Sequence, residues 1–242
     1  MVKPGTQQPP GYAGEVRALI IADGDVPGSE ALDAAWPGWS DDLGLIVAAD
    51  GGAASAERLG RRPDLVVGDG DSIDPAVLEG LRAAGCAVEL APADKDETDT
   101  ELALLAALRR GATDLTIVGA LGGRRVDHAL GNVWLLAHPA LAGRRASILE
   151  PSARLTVLRA PAADGGPVRA SLDGAIGAIL SLIPMADVAG VTTEGLRFEL
   201  HDEPLPAGPA RGLSNERVAP AASVSVRRGL LLVVEAPASL RP

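Results

Sequence analysis

The sequence predicts an α/β domain built on a doubly wound parallel sheet with helices, followed by an all-β domain folded as an antiparallel sandwich. Three observations carry this. From Val16 to about Glu150, short apolar runs alternate with helical stretches. After Glu150 the apolar runs follow one another without long helices between them. The interior must also be aliphatic: 47% of the 242 residues are hydrophobic, yet the aromatics are Tyr12, Phe198 and three tryptophans. Leu, Val, Ile and Ala interiors suit parallel strands covered on both faces by helices.

In the first part the strand candidates are Val16–Ala22, Leu45–Ala49, Leu65–Val67, Ala87–Leu90, Leu115–Val118 and Ala146–Leu149. Helices are expected over Ala53–Leu59, Pro75–Ala84, Asp99–Arg110 and Asp127–Ala137. Asp74–Pro75 starts the second, and Thr98 with Glu101 forms a capping box for the third. Leu102, Leu105, Ala106 and Arg109 keep helical spacing there; Arg109 and Arg110 sit at the negative end, and Gly111 stops it.

In the second part the strand candidates are Leu155–Leu158, Ala178–Ile183, Leu196–Leu200, Ser223–Val226 and Leu230–Val234. The last two read as a hairpin turning at Arg227–Gly229. The change falls near Glu150–Arg154, giving domains over 15–150 and 151–242 and a loose Pro- and Gly-rich tail over 1–14. That tail lacks the apolar core of a signal peptide. Apolar runs such as Leu102–Leu108 are too short for the roughly 20 residues that cross a bilayer. The expected compartment is the cytoplasm, with no membrane partner.

A formal net charge of −10 supplies no basic surplus for a nucleic-acid backbone. Scarce aromatics also argue against stacked bases. Cys86 is the single cysteine, which excludes an intramolecular disulfide and a zinc cluster; it reads as a small core residue.

Acid follows most strands of the first part. Asp23 and Asp25, Asp50, Asp69 and Asp71, the run Asp94–Asp99, and Asp127 all come after apolar runs. In a doubly wound sheet these ends share one edge, where ligands bind. Carboxylates gathered there repel one another unless a cation sits among them, and hard oxygen donors favour magnesium over zinc. Asp69 and Asp71, two apart with Gly70 between, can face one ion. Asp23, Asp25, Asp42, Asp74 and Asp114 read instead as turn or cap residues.

Glycines at Asp50–Gly51–Gly52 and Gly119–Gly123 let backbone amides approach a phosphate. Lys95, Arg124 and Arg125 are the cations placed to meet one. The P-loop and dinucleotide fingerprints are absent, and His128, His138 and His201 pair with no nucleophile. The chemistry indicated is magnesium-dependent phosphoryl transfer from a nucleotide, which needs positioning and charge neutralisation and no covalent nucleophile.

Taken in order, AADGGA (48–53), PDLVVGDGDS (63–72), DKDETDTELAL (94–104), GALGGRRVDHALGN (119–132), VTTEGLRFEL (191–200) and GLSNE (212–216) resemble thiamine pyrophosphokinases. The resemblance implies transfer of the pyrophosphoryl group of ATP to thiamine, giving thiamine diphosphate and AMP. It also implies a homodimer with active sites between subunits. By motif match, Asp69, Asp71 and Asp99 are implied as magnesium ligands. Asp50, Lys95, Asp96, Arg125 and Asp127 are implied at the nucleotide phosphates, with Asp71, Asp99 and Arg125 the catalytic set. Phe198, Ser214 and Asn215 fall on the thiamine side. Gly70 replaces a usual aromatic, and GGRRVDH carries one residue more than the common pattern, so counting from Asp127 selects Arg125 and from Gly123 Arg124. Phe198 stands where an indole is common and is the natural stacking partner for a heterocycle. The competing readings are a pyrophosphokinase for a pterin-type acceptor, a non-catalytic nucleotide or thiamine binder, and an aspartate-nucleophile phosphohydrolase at Asp69.

Overall fold

A computed structural model of the chain describes residues 15–161 and 165–237; the expected tail over 1–14 lies outside them. The first half runs β1 (Val16–Ile21), α1 (Ser29–Ala35), β2 (Leu43–Ala49), α2 (Gly52–Ser55), β3 (Leu65–Gly68), α3 (Pro75–Ala83), β4 (Ala87–Leu90), α4 (Asp99–Arg109), β5 (Ala112–Val118), α5 (Val126–Leu135) and β6 (Arg145–Glu150). Every strand candidate of this half is present. The helix expected over Ala53–Leu59 divides into α2 and a 3₁₀ turn over Ala56–Leu59, ended by left-handed Gly60. Asp74 and Thr98 cap α3 and α4 through their side chains, accepting from Ala76 N at 2.7 Å and Glu101 N at 3.2 Å. Sequence reading missed α1, whose N-cap is Gly28 with no capping side chain.

The second half is all strand: β7 (Ala153–Ala160), β8 (Val168–Asp173), β9 (Ile179–Pro184), β10 (Val188–Glu194), β11 (Glu203–Leu205), β12 (Asn215–Glu216), β13 (Ala221–Val226) and β14 (Gly229–Glu235). One sheet of ten strands, in order β12-β9-β14-β7-β6-β5-β1-β2-β3-β4, runs through both halves. It is parallel from β6 to β4 and antiparallel from β6 to β12. A second sheet, β11-β10-β13-β8, packs on the antiparallel part, and their shared core holds Leu158, Leu180, Leu231, Val191 and Val224.

Two expectations are corrected. The turn at Arg227–Gly229 is not a hairpin: β13 pairs with β8 and β10, while β14 pairs with β7 and β9, so the turn crosses between sheets. The physical reason lies in the run LLLVV. Leu231 and Val233 enter the sandwich core while Leu232 and Val234 pack into the α/β core, and a strand buried on both faces belongs inside a sheet, flanked on each side. Nor is Leu196–Leu200 a strand. Gly195, at φ 73°, ends β10, and Leu200 turns back so that its N–H donates to Thr193 Oγ1 at 2.9 Å. Both leucines are buried, and the residues between them bulge outward.

β1 lies between β5 and β2. It leads to β2 on one side, whereas β5 leads to β6 on the other. The crevice between the carboxyl ends of β1 and β5 is therefore the topological switch point of the sheet, where open α/β sheets bind ligands. Among the described residues, no helix is long and apolar enough to cross a membrane.

Candidate active site

A cleft of about 550 Å³ opens at that switch point, lined by the loops after β1, β3, β4 and β5. The loops after β1 and β5 touch so closely that a Cβ on Gly24 would collide with the carbonyl oxygens of Gly119 and Gly122. Glycine here is a steric requirement, and it lets the main chain line the cleft.

Asp50, buried just past β2 at φ 42°, organises the floor. Its carboxylate accepts the N–H groups of Gly70 at 3.0 Å and Ser72 at 2.9 Å, shaping the loop that carries Asp69 and Asp71. Burial pushes the Asp50 carboxyl above its usual range, and those two donors partly offset the rise. Gly70 takes φ 81°, a left-handed conformation that glycine adopts without strain.

Asp69 receives Lys95 Nζ at 2.8 Å, and that hydrogen bond holds its carboxyl below the usual range. The same ammonium lies 3.1 Å from Asp99, the first residue of α4, and its own ionisation is raised, mainly by Asp69. Asp50, Asp69 and Asp99 each offer an oxygen within 4.8 Å of one another. Asp71, implied as a ligand by motif, stands outside this trio; it is exposed and accepts from Ser72 Oγ at 2.9 Å. Asp96 lines the same cleft.

Both arginines of the GGRR segment reach the cleft. Arg125 forks onto Asp127, with Nε to Oδ1 at 2.9 Å and Nη2 to Oδ2 at 2.5 Å, which holds the Asp127 carboxyl far below its usual range. Among the described residues Arg124 has no ion-pair partner. The geometry thus separates a committed guanidinium from an uncommitted one, where spacing alone could not choose.

Asp23 is the residue that sequence reading set aside. It lines the cleft beside Gly51. Burial raises its carboxyl first, and Asp50, Asp99 and Asp71 raise it further, with His128 opposing. Its place at the end of the strand flanking the switch point was the available signal. Asp25 accepts from Gly123 N at 2.9 Å, a bond that ties the loop after β1 to the loop after β5 and is not the local turn or cap contact expected from its own segment.

Phe198, Ser214 and Asn215 come together elsewhere, around β12 at the far edge of the ten-stranded sheet. Phe198 is 64% exposed, with the Arg197 guanidinium 5.7 Å from its ring centroid. Ser214, at φ 56°, donates its N–H to Ser181 Oγ.

The donor set fits magnesium. All three converging groups are carboxylates, and Asp99 Oδ1 faces the Lys95 ammonium that Asp69 also holds. Hard oxygens crowded in this way suit a small hard cation.

Fold and site together define a two-part class: a doubly wound α/β domain with an acidic cleft at its switch point, continued by a β-sandwich. Residues 39–148 match the family described as thiamin pyrophosphokinase, catalytic domain, and residues 168–231 match the thiamin pyrophosphokinase vitamin B1 binding domain. The chain belongs to the thiamine pyrophosphokinase family. It is 26% identical over 198 residues to a thiamine pyrophosphokinase of Bacillus subtilis, covering 81% of this chain and 89% of that one. The crystal structure of thiamin pyrophosphokinase from Geobacillus thermodenitrificans is 27% identical with a TM-score of 0.73, covering 91% of this chain and 97% of that one. The Bacillus subtilis enzyme's crystal structure, 24% identical with a TM-score of 0.76 over 91% and 99% of the two chains, shares the fold.

Proposed function

We propose that the protein transfers the pyrophosphoryl group of ATP to the hydroxyl of thiamine, giving thiamine diphosphate and AMP. The observation that carries the reading is the Asp50–Asp69–Asp99 cluster facing a glycine-lined switch point. The hydroxyl oxygen attacks the β-phosphorus; the bond from that phosphorus to the α,β-bridging oxygen breaks, AMP takes the electron pair, and the hydroxyl proton is released. Mg²⁺ held by Asp69, Asp71 and Asp99, with Asp50 joined to them by geometry, would neutralise phosphate charge as it builds. Lys95, Asp96, Arg125 and Asp127 orient the phosphates, and amides of the Gly119–Gly123 loop face them. Phe198 stacks on a ring of thiamine, with Ser214 and Asn215 on the same side. In this reading 15–150 is the nucleotide and magnesium unit, 151–242 the thiamine unit, and the enzyme works in the cytoplasm.

The same reading calls for a homodimer. Five strand spacings of about 4.8 Å, on the order of 24 Å, separate β12 from β5 within one sheet. A chain's own Phe198 is thus held far from its own cleft. The exposed stripe Val126, Leu130 and Trp134, four residues apart on α5 beside the cleft, and exposed Phe198, Leu213 and Val218 give apolar surface for a second copy. Sedimentation equilibrium should give twice the chain mass.

Purified protein with ATP, Mg²⁺ and thiamine should release AMP and thiamine diphosphate in equal amounts. Absence of thiamine-dependent AMP overturns the reading; binding without turnover would indicate a sensor, and turnover only with a hydroxymethyl pterin the alternative acceptor.

A further inference from the structure

Asn215 carries a thiamine-side motif position, yet it is 7% exposed and its amide is spent on the main chain. Oδ1 accepts from Phe198 N at 3.0 Å and from Glu216 N at 2.9 Å, and Nδ2 donates to Phe198 O at 2.7 Å. Both Oδ1 lone pairs and one Nδ2 hydrogen are used. The opposite amide orientation would set an NH₂ against two N–H donors, so the network fixes which way the group points.

The need for this clamp follows from the strand it replaces. Arg197 N donates to Glu216 O at 2.8 Å and Val218 N to Gly195 O at 3.0 Å. There the pairing stops, because β12 is two residues long and Phe198 stands on the bulge between buried Leu196 and Leu200. Without Asn215, both polar groups of the Phe198 main chain would lack these partners. With it, the backbone under the exposed ring is fixed and only the side-chain torsions remain free. The clamp is anchored in turn: Asn215 pairs with Leu180 of β9.

We propose that Asn215 is a positioning residue, acting on the acceptor substrate through Phe198 and making no contact with the substrate itself. This rests on the reading that Phe198 stacks on thiamine. Holding an aromatic face in its bound orientation before the ligand arrives lowers the ordering cost of binding. Only an amide serves here. The change Asn215→Asp would keep both acceptor bonds but set a carboxylate against the Phe198 carbonyl, and Asn215→Ala would lose all three bonds.

The experiment is a double-mutant cycle on the full chain with steady-state kinetics. Asn215→Ala and Asn215→Asp should each raise the KM for thiamine on the order of tenfold, leaving the KM for ATP and kcat within about twofold. Phe198→Ala should raise the thiamine KM at least as much, and Phe198→Ala with Asn215→Ala should match Phe198→Ala alone. Additive effects would mean that Asn215 touches the substrate, and would overturn the proposal. Amide hydrogen exchange at Phe198, read without substrate, separates this from failure of the stacking reading. If Phe198→Ala leaves the thiamine KM unchanged, stacking fails. In either case exchange at Phe198 should be slow in the parent and fast in Asn215→Ala; equal rates overturn the clamp.

Discussion

In the α/β half, Asp23, Asp69 and Asp99 line an open cleft with buried Asp50 close to the last two, and Lys95 is the ammonium bridging Asp69 and Asp99. In the sandwich, Glu235 is sealed from water between Arg154, whose Nε donates at 3.0 Å, and fully buried Arg217. One half leaves charge unbalanced where a ligand can reach it. The other shares one carboxylate between two guanidiniums where a ligand cannot reach, and Gly174 lies so close to the Arg217 guanidinium that a Cβ would collide with it. The contrast teaches what each network is for. An acid cluster that repels itself gains by taking up a cation, whereas a buried pair holds strands together because losing one member strands the other.

The sharpest way to break this comparison is to neutralise one charge in each half. Asp99→Asn should lower kcat on the order of 10³-fold, equivalent to about 4 kcal/mol of barrier, while its melting temperature stays level or rises because a repulsion is gone. A clear fall in melting temperature would show that Asp99 is structural. Mixing the Asp99→Asn chain with a Phe198→Ala chain should recover activity as mixed dimers form, since one of their two sites then has both residues intact. No recovery would place Phe198 and the cleft of the same chain in one site.

Glu235→Gln should do the reverse, lowering stability by about 3 kcal/mol in urea unfolding with little change in the KM for ATP. An unchanged urea midpoint would put this buried network on the same footing as a surface pair. Lys95→Met sharpens the contrast further. The metal-free variant loses its internal counter-ion, so added Mg²⁺ should raise its melting temperature by about a few degrees more than it raises the parent's. An equal rise would mean that Lys95 and the metal do not share ground.

The smallest effect is expected at the seam between the halves. Burial raises the Glu150 carboxyl, with the Leu121 N–H partly offsetting the rise, and its Oε1 makes no hydrogen bond. A raised folded-state value means that protonation favours the fold. Its contribution is full below the unfolded value near 4.5 and is lost as pH rises through the folded value. Glu150→Gln should therefore flatten the stability profile above about pH 4.5 and change neutral stability by within about 1 kcal/mol. An unaltered profile would assign the slope to other groups.

The α/β half was legible because its signals are local. Apolar runs, the caps Asp74 and Thr98, and aspartates at strand ends lie within a few residues of what they determine. The sandwich was less so, because pairing partners such as Leu231 and Leu158 are far apart in sequence. Period-two alternation at Leu196–Leu200 imitates a strand, and only Asn215 and Thr193 reveal that side chains replace the ladder. At the site, Asp50, Lys95 and Asp99 were found from their loops, but Asp23 needed the sheet order, since nothing in its own segment separates a cap from a cleft residue. Between Arg124 and Arg125 the sequence leaves the choice open, and the structure adds only that Arg125 is forked onto Asp127.

Strand β14 carries a consequence for biosynthesis. Among the described residues it follows every other strand in chain order, yet it lies between β7 and β9 and joins them. While the chain emerges from a ribosome, the parallel strands can assemble early, whereas β7 and β9 must wait with unpaired edges until the LLLVV run appears. Those edges are the vulnerable surface of the nascent chain, and a stall or truncation before Leu230 would leave them open to the wrong partners.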